Sequence, residues 1–488
     1  MLLKLEPTGP WSERIYSALR RAILAGELSP GARVPASRRL AADLGVARNT
    51  VVGAYERLIA EGFLRGHGAA GTLVCDVSPR GLARAPRSAK RPAPPRLGAE
   101  GRRIAKDPHL YHPAARRPGP RRRFDFRYNA SVADATSRRE WGRLARRVLA
   151  RHENAPPDYE FQEGPGALEQ SLVRYLASTR GVDCTPEQVV LVPNPQAGLA
   201  LAARLFVDPG DAVALEDPHY LGARSTLRGR GARLLPVPVD DSGLRPDRLP
   251  ERRDIRFVYA TASHQWPTGA TLPVGRRLAL LEWARRRRAY VVENDHNSEH
   301  LYGGTPVQSM QGLDPHDRVI YLATFHRLFR PPPGIAFAVV PQALTETFRG
   351  AANHHGLHPS RLIRDTLERF LEEGCLERLV RRASRRMRAR RVRLQTALDA
   401  LGRHDLDVRA SSGGTHLYVR LRGWSRPEVA ALVARAATRE VEVHDDSPFW
   451  LQPPRDPGLL VGFAEIAEDR IEEGVARLGE AMSEARGS

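Results

Sequence analysis

Two sets of residues are of types that could do chemistry. Arg48-Asn49-Thr50 opens the segment ARNTVVGAYERLIAEG, where a helix start would offer free backbone N–H groups, short polar side chains and a guanidinium to phosphates and base edges. The second set follows apolar runs: ENDH, Glu293 to His296, ends the stretch AYVVENDH, and His326-Arg327 comes directly after RVIYLATF. His296 and His300 lie four apart, with His264 and His326 after other apolar runs, a pattern that admits a metal ion. Polar residues lining a pocket is the preferred reading, and no metal is expected, because the segment reads as strand-to-loop and no partner that would orient the imidazoles can be identified. One absence limits the chemistry further. The last lysine is Lys106, so nothing after it can supply a side-chain amine for imine chemistry. Arginine is no substitute, since its guanidinium stays protonated and delocalised.

The elements that must position these residues come in more than one domain, because 488 residues exceed one ordinary core. Cys75, Cys184 and Cys375 are too few and too scattered for a disulfide framework, which points to a cytoplasmic setting. Residues 1–10 lack an apolar core of signal-peptide length, and no run approaches a membrane span, so no membrane partner is expected. Of the formal charge of +20, +11 falls in residues 75–123, a stretch rich in Pro, Ala, Gly and Arg that ends in Arg121-Arg122-Arg123. It reads as an extended linker, either a tether drawn to polyanions or a solvated spacer.

Residues 12–74 read as three helices and a wing. Ile15, Leu19 and Ile23 share one face of a first helix, with Ser12 as its cap and Gly26 at its stop. A short helix runs from Arg38 to Leu44, and a third buries Val51, Tyr55, Leu58 and Ile59. FLRGHGAAGTLV then gives two short strands around a glycine-rich tip. The words LSPGARVPASRRLAADLGVARNTVVGAYERLIAEGFL resemble the winged helix-turn-helix of GntR-type bacterial repressors. That resemblance implies contacts with double-stranded operator DNA by Ser37 and Arg38, by Arg48, Asn49 and Thr50, by the wing near His67 and Gly71, and by Arg33 on a phosphate.

From Phe124, short apolar strands alternate with helical segments (VVLVP, DAVALE, RFVYATA, AYVVEND, RVIYLATF, GIAFAVV), the pattern of a mostly parallel α/β sheet. These words, with PNPQAGL, DPHYLGAR, SHQWPTG and the closing LVGFAEIAEDRIEEGVARL, resemble the fold-type I domain of MocR-type regulators. The resemblance implies an aminotransferase-like domain at 124–488 with a small C-terminal α+β subdomain from about 380, after a winged-helix domain at 1–75 and a linker at 76–123. In that family pyridoxal phosphate is held by a lysine.

Set against the family's pattern, Arg327 stands at that lysine and Gly334 at a phosphate-binding arginine. Asn294 replaces the carboxylate that protonates the pyridine ring, His296 replaces a tyrosine, and Leu460 replaces the arginine that grips a substrate carboxylate. Asp295 is offset by one residue and should face the other way. In the phosphate loop, Pro193 and Pro195 flank Asn194 and precede Gln196 without N–H groups to donate. Tyr220, His264 and Gln265 keep family-like positions around a vestigial pocket, to which His326 also belongs. The expectations are therefore a transcriptional regulator, dimeric through an aminotransferase-like body that is not an enzyme, with no cofactor. A small-molecule effector in the remodelled pocket and a ligand-free scaffold both stay open, as does a regulator or an enzyme that binds pyridoxal phosphate or an amino-acid-like ligand noncovalently.

Overall fold

The chain folds as two units, Met1–Arg96 and Leu97–Ser488. The computed structural model describes residues 5–66, 71–76, 97–107, 122–128, 130–152, 164–296, 299, 308–409, 411 and 413–486. The first unit contains α1 (Trp11–Leu24), α2 (Ser37–Leu44), α3 (Arg48–Ala60), β1 (Leu64–Gly66) and β2 (Thr72–Val74). Ile15, Leu19, Val51, Tyr55 and Leu58 meet Leu64 and Val74 of the antiparallel wing in one small core. Two local expectations are corrected. Helix α1 starts at Trp11 behind Pro10, whose fixed φ suits a helix entry, so Ser12 lies inside the first turn and caps nothing. Ile59 is 41% exposed, because the helix turns it away from the stripe that Leu58 completes.

In the second unit α4 (Ala99–Ala105), β3 (Phe124–Asp125), α5 (Ala135–His152) and α6 (Ala167–Arg180) precede the main sheet. Strand–helix alternation follows: β4 (Val189–Val192), α7 (Pro195–Phe206), β5 (Ala212–Asp217), α8 (Leu221–Arg230), β6 (Arg233–Asp240), β7 (Gly243–Leu244), β8 (Ile255–Ala260), α9 (Val274–Arg287), β9 (Tyr290–Asp295), β10 (Val319–Ala323) and β11 (Ala336–Val339). The sheet order is β4-β11-β10-β9-β8-β5-β6-β7. Strands β5, β6, β8, β9 and β10 pair in parallel, and β11 runs antiparallel to both β10 and β4. Strands β4, β5, β10 and β11 are buried at every residue, which explains their uninterrupted apolar runs. Strand β6 is absent from the sequence reading. Its Pro236 and Pro238 mimic a loop, and the fold accepts them because β6 lies at the sheet edge with only the two-residue β7 beyond it.

Helices α10 (Thr345–His354), α11 (Arg361–Glu372) and α12 (Cys375–Ala400) lead into β12 (Leu406–Val408), β13 (His416–Leu421), α13 (Arg426–Thr438), β14 (Val441–Glu442), β15 (His444–Asp445), β16 (Gly458–Gly462) and α14 (Ile471–Arg486). Strands β12-β13-β16-β15 form an antiparallel sheet, and β3 pairs with β14. The stretch read as a linker is partly built into this unit. The Arg103 Nε–H donates to the Gly229 carbonyl at 2.9 Å, Arg122 pairs with Glu442 at 2.6 Å and Arg123 with Glu473 at 3.0 Å. The arginine run on α12 is likewise engaged: Arg382 reaches Asp134 at 3.0 Å and Arg393 reaches Glu472 at 2.8 Å. No helix of the described residues is long and apolar enough to cross a membrane.

Candidate functional site

In the first unit, neither α2 nor α3 has a side-chain N-cap; Ala36 and Ala47 occupy those positions. Alanine leaves first-turn N–H groups open, and at α3 they stand beside exposed Arg48 and Asn49 with Thr50 half-buried behind them. Arg38 is exposed at the start of α2 next to Ser37, and the Tyr55 hydroxyl donates to the Pro35 carbonyl at 2.8 Å, tying α3 to the turn before α2. Arg33 bridges to Leu73, and a Cβ on Gly71, whose φ is +88°, would lie 3.4 Å from the Arg33 Nε. Glycine there lets the wing strand and the guanidinium close together. His67 lies outside the described residues. The bonded turn and the α3 start bring Ser37, Arg38, Arg48, Asn49 and Thr50 into one neighbourhood, and Arg33 with Gly71 into another.

In the second unit the relevant residues gather at the carboxyl ends of β5, β8, β9 and β10, the crevice in which open α/β sheets hold ligands. On β9 the alternation separates neighbours. The Asn294 amide donates to the Tyr259 hydroxyl at 2.7 Å, whereas Asp295 accepts from the Tyr321 hydroxyl at 2.5 Å and pairs with Arg180 at 3.3 Å on the other face. Beyond the strand, His296 stacks edge-on to Trp266 (centroids 5.6 Å apart) and lies 5.9 Å from His264. His264 is 6.0 Å from His416, whose ring nitrogen contacts the Pro267 carbonyl at 2.7 Å. Burial first, then the nearby Arg327 charge, push His296 down to about 3, and burial pushes His416 down to about 4. Both imidazoles are therefore neutral at neutral pH. Among the described residues no group of three or more His, Cys, Asp or Glu could hold a metal ion, and His300 lies outside them.

Arg327 follows β10 in a single 3₁₀ turn with exposed His326. Its carbonyl accepts from the Val132 N–H at 2.8 Å, its guanidinium donates to the Thr415 hydroxyl at 2.9 Å and sits 5.6 Å over the Trp266 ring. At the start of α7, Pro195 has no N–H, and the Asn194 side chain already accepts from the Ala197 N–H at 2.9 Å. Gln196 donates to the Thr226 hydroxyl at 3.2 Å, and Gly334 has no side chain near it. Half of the usual first-turn donors are thus missing or used. Leu460 is fully buried in an aromatic cluster with Tyr128, Trp266, Tyr418 and Phe449, against which Tyr220 packs. Tyr128 lies 5.4 Å from Trp266 and 5.8 Å from Phe449. The sequence reading missed Tyr128, Thr415, His416 and Phe449. Trp266 stood inside SHQWPTG, but nothing in the sequence brings Tyr128, Thr415, His416 or Phe449 to strand ends so far away in the chain.

A winged-helix unit followed by a fold-type I aminotransferase body is the architecture of a DNA-binding regulator built on an enzyme fold. Residues 11–74 match bacterial regulatory proteins of the gntR family, and residues 144–453 match aminotransferase class I and II. The chain is 34% identical to the probable rhizopine catabolism regulatory protein MocR of Rhizobium meliloti over 99% of this chain and 96% of that protein. It is 31% identical to the HTH-type transcriptional regulator TauR of Rhodobacter capsulatus over 97% of each. The structure of LysN, an alpha-aminoadipate aminotransferase from Thermus thermophilus complexed with N-(5'-phosphopyridoxyl)-L-leucine, aligns with a TM-score of 0.69 and 26% identity, covering 80% of this chain and 98% of that one. The chain belongs to the MocR-type GntR family of transcriptional regulators.

These matches correct one expectation. Class I and II aminotransferase similarity across 144–453, and a structural neighbour holding a phosphopyridoxyl group, imply pyridoxal phosphate binding where none was expected. The crevice has a polar atom for it: Asn294 Oδ1 is shielded from solvent and has no hydrogen-bond partner among the described residues. Asn294, His296, Tyr220 and Arg327 are the residues that would hold the group. When bound, pyridoxal phosphate supplies an electron sink for amino-acid chemistry. A covalent lysine link does not fit, because no lysine follows Lys106.

Proposed function

We propose that the chain regulates transcription by reading an operator in duplex DNA as a homodimer, and that its aminotransferase-like domain does not transaminate. The carrying observation is the absence of lysine from residues 107–488; the family resemblance supports Arg327, held through its carbonyl and its guanidinium, as the residue at the amine's position. An amine that forms and releases the cofactor linkage is also the general base of that chemistry, and arginine does neither at accessible pH. The neutral Asn294 amide and the buried Leu460 remove the pyridine counter-charge and the carboxylate clamp.

On the DNA side, Arg48, Asn49 and Thr50 meet base edges and phosphates in the major groove. Ser37, Arg38 and Arg33 contact the backbone, and the wing contributes through His67 and Gly71. Two heads in a dimer match two half-sites. Full-length protein used to select duplexes from a random pool should enrich a paired motif. Failure to enrich any sequence contradicts the reading.

The Asn294 Oδ1, without a hydrogen-bond partner among the described residues, favours a second role, noncovalent capture of pyridoxal phosphate or an amino-acid-like effector that shifts the DNA-binding state. Pyridoxal phosphate changing operator affinity, with loss of that response in Asn294→Leu, is the expected result. Operator affinity unmoved by the ligand removes this role.

A further inference from the structure

The end of the sheet opposite the crevice, where α7 and α9 stop and β8 and β9 begin, carries a second, unrelated concentration of chemistry. Five arginines, Arg253, Arg256, Arg286, Arg287 and Arg288, line a groove of about 780 Å³ in which Asp208 is the one acidic lining residue. The neighbouring acids neutralise part of this charge. Arg256 pairs with Asp211 at 2.9 Å, Arg286 lies 3.8 Å from both Glu251 and Glu282, and Arg287 also pairs with Glu251. Arg253 and Arg288 form no ion pair among the described residues, and the Arg287 Nε is solvent-shielded without a hydrogen-bond partner. Cations crowded this way repel one another unless an anion joins them.

Two further features give the groove a shape preference. Arg288 caps α9 with φ 54°, the left-handed conformation that favours glycine, so a bulky cation is held at the rim where the backbone alone would select a residue without a side chain. The groove is also lined by Phe206 and Tyr290, whose rings lie 4.7 Å apart at 34°, and the Arg318 guanidinium sits 5.5 Å from the Tyr290 ring. Guanidinium forks match phosphate oxygens, half-buried aromatic rings match a planar base, and the volume is that of a small-ligand site. We propose that this groove binds a nucleoside polyphosphate, with phosphates at Arg253, Arg287 and Arg288 and the base against Phe206 and Tyr290. The site is separate from the cofactor crevice and does not depend on how that crevice is read.

Calorimetric titration of ATP into the full-length protein tests it, with inorganic tripolyphosphate as the ringless probe and a random-sequence duplex as the polymeric one. Saturable binding of one ATP per chain is expected. Arg253→Ala and Arg288→Gly should each weaken it about ten-fold or more, the loss of a charge-assisted contact. Arg288→Gly suits the left-handed backbone, so it removes the charge without a folding penalty, and Tyr290→Leu should weaken ATP more than tripolyphosphate. Absence of saturable ATP binding, or ATP affinity unchanged in both arginine variants, overturns the proposal. Tripolyphosphate binding as tightly as ATP also overturns it, as does duplex affinity falling in these variants while ATP does not bind, which would make the groove a nucleic-acid surface.

Discussion

The two units treat their working residues in opposite ways. In the winged-helix unit the small core, the turns and the exposed residues at the start of α3 are all present together. In the aminotransferase-like unit the sheet order, the buried strands and the strand-end crevice are all there, while no lysine follows Lys106 and, in the function proposed above, Arg327, Asn294 and Leu460 take the places of the amine, the pyridine carboxylate and the carboxylate clamp. A fold tolerates this because its stability comes from apolar burial on both faces of the sheet; Arg327 and Asn294 lie at strand ends outside that burial, and Leu460 adds to an apolar cluster of its own. Chemistry does not tolerate it, because each role needs one functional group at one place.

The comparison breaks most sharply if one residue can restore the enzyme. Arg327→Lys should regain a covalent link to pyridoxal phosphate, visible as an absorbance band, yet show no turnover, because Asn294 and Leu460 still lack the charges that stabilise the reacting amino acid. Turnover by the single variant would mean that the other two changes matter little.

A second prediction separates fold from chemistry. Burial raises the Glu216 carboxyl to about 7 from its ordinary 4.5, against the opposing hydrogen bonds from Thr261 and Gln265. Below pH 4.5 both the folded and the unfolded chain hold this proton, and the contribution of the group to stability is complete. Between 4.5 and 7 only the folded chain holds it, so stability falls as pH rises, by roughly 3 kcal/mol in all, and levels off above 7. Denaturant titrations of wild type and Glu216→Gln at several pH values should give a difference that grows in favour of the variant across that window. A pH-independent difference would contradict the assignment.

Smaller effects sharpen the first unit. Arg48→Ala should cost about 1–3 kcal/mol in operator binding and relax preference at one position of each half-site, read by competition against substituted duplexes. Smallest of all, replacing Arg122 and Arg123 with Gln should leave the salt dependence of DNA binding unchanged, because Glu442 and Glu473 already hold them. A shallower salt slope would place them on phosphates instead.

Much of this was legible in the residues. Six strands announced themselves as apolar runs, because strands covered on both faces of the sheet need no alternation. The meeting of Asn294 and Arg327 at the ends of the adjacent strands β9 and β10 was legible because the strand-end words keep their order in the chain. What escaped was whatever depends on tertiary neighbours: β6, whose prolines look like a loop until an edge position permits them, and Ile59, misassigned by one step of helical phase. Thr415, His416 and Phe449 reach the crevice from the small subdomain only through folding. The pairing of Arg122 and Arg123 was hidden because a basic run reads the same whether its partners are phosphates or glutamates.

The central claim, a regulator whose enzyme-derived body has lost its reaction, is tested most directly by incubating the full-length protein with pyridoxal phosphate and a mixture of amino acids and following conversion to the pyridoxamine form. Conversion no faster than in protein-free buffer is the predicted result. Conversion accelerated in proportion to protein concentration, and keto acid released with it, would contradict the account.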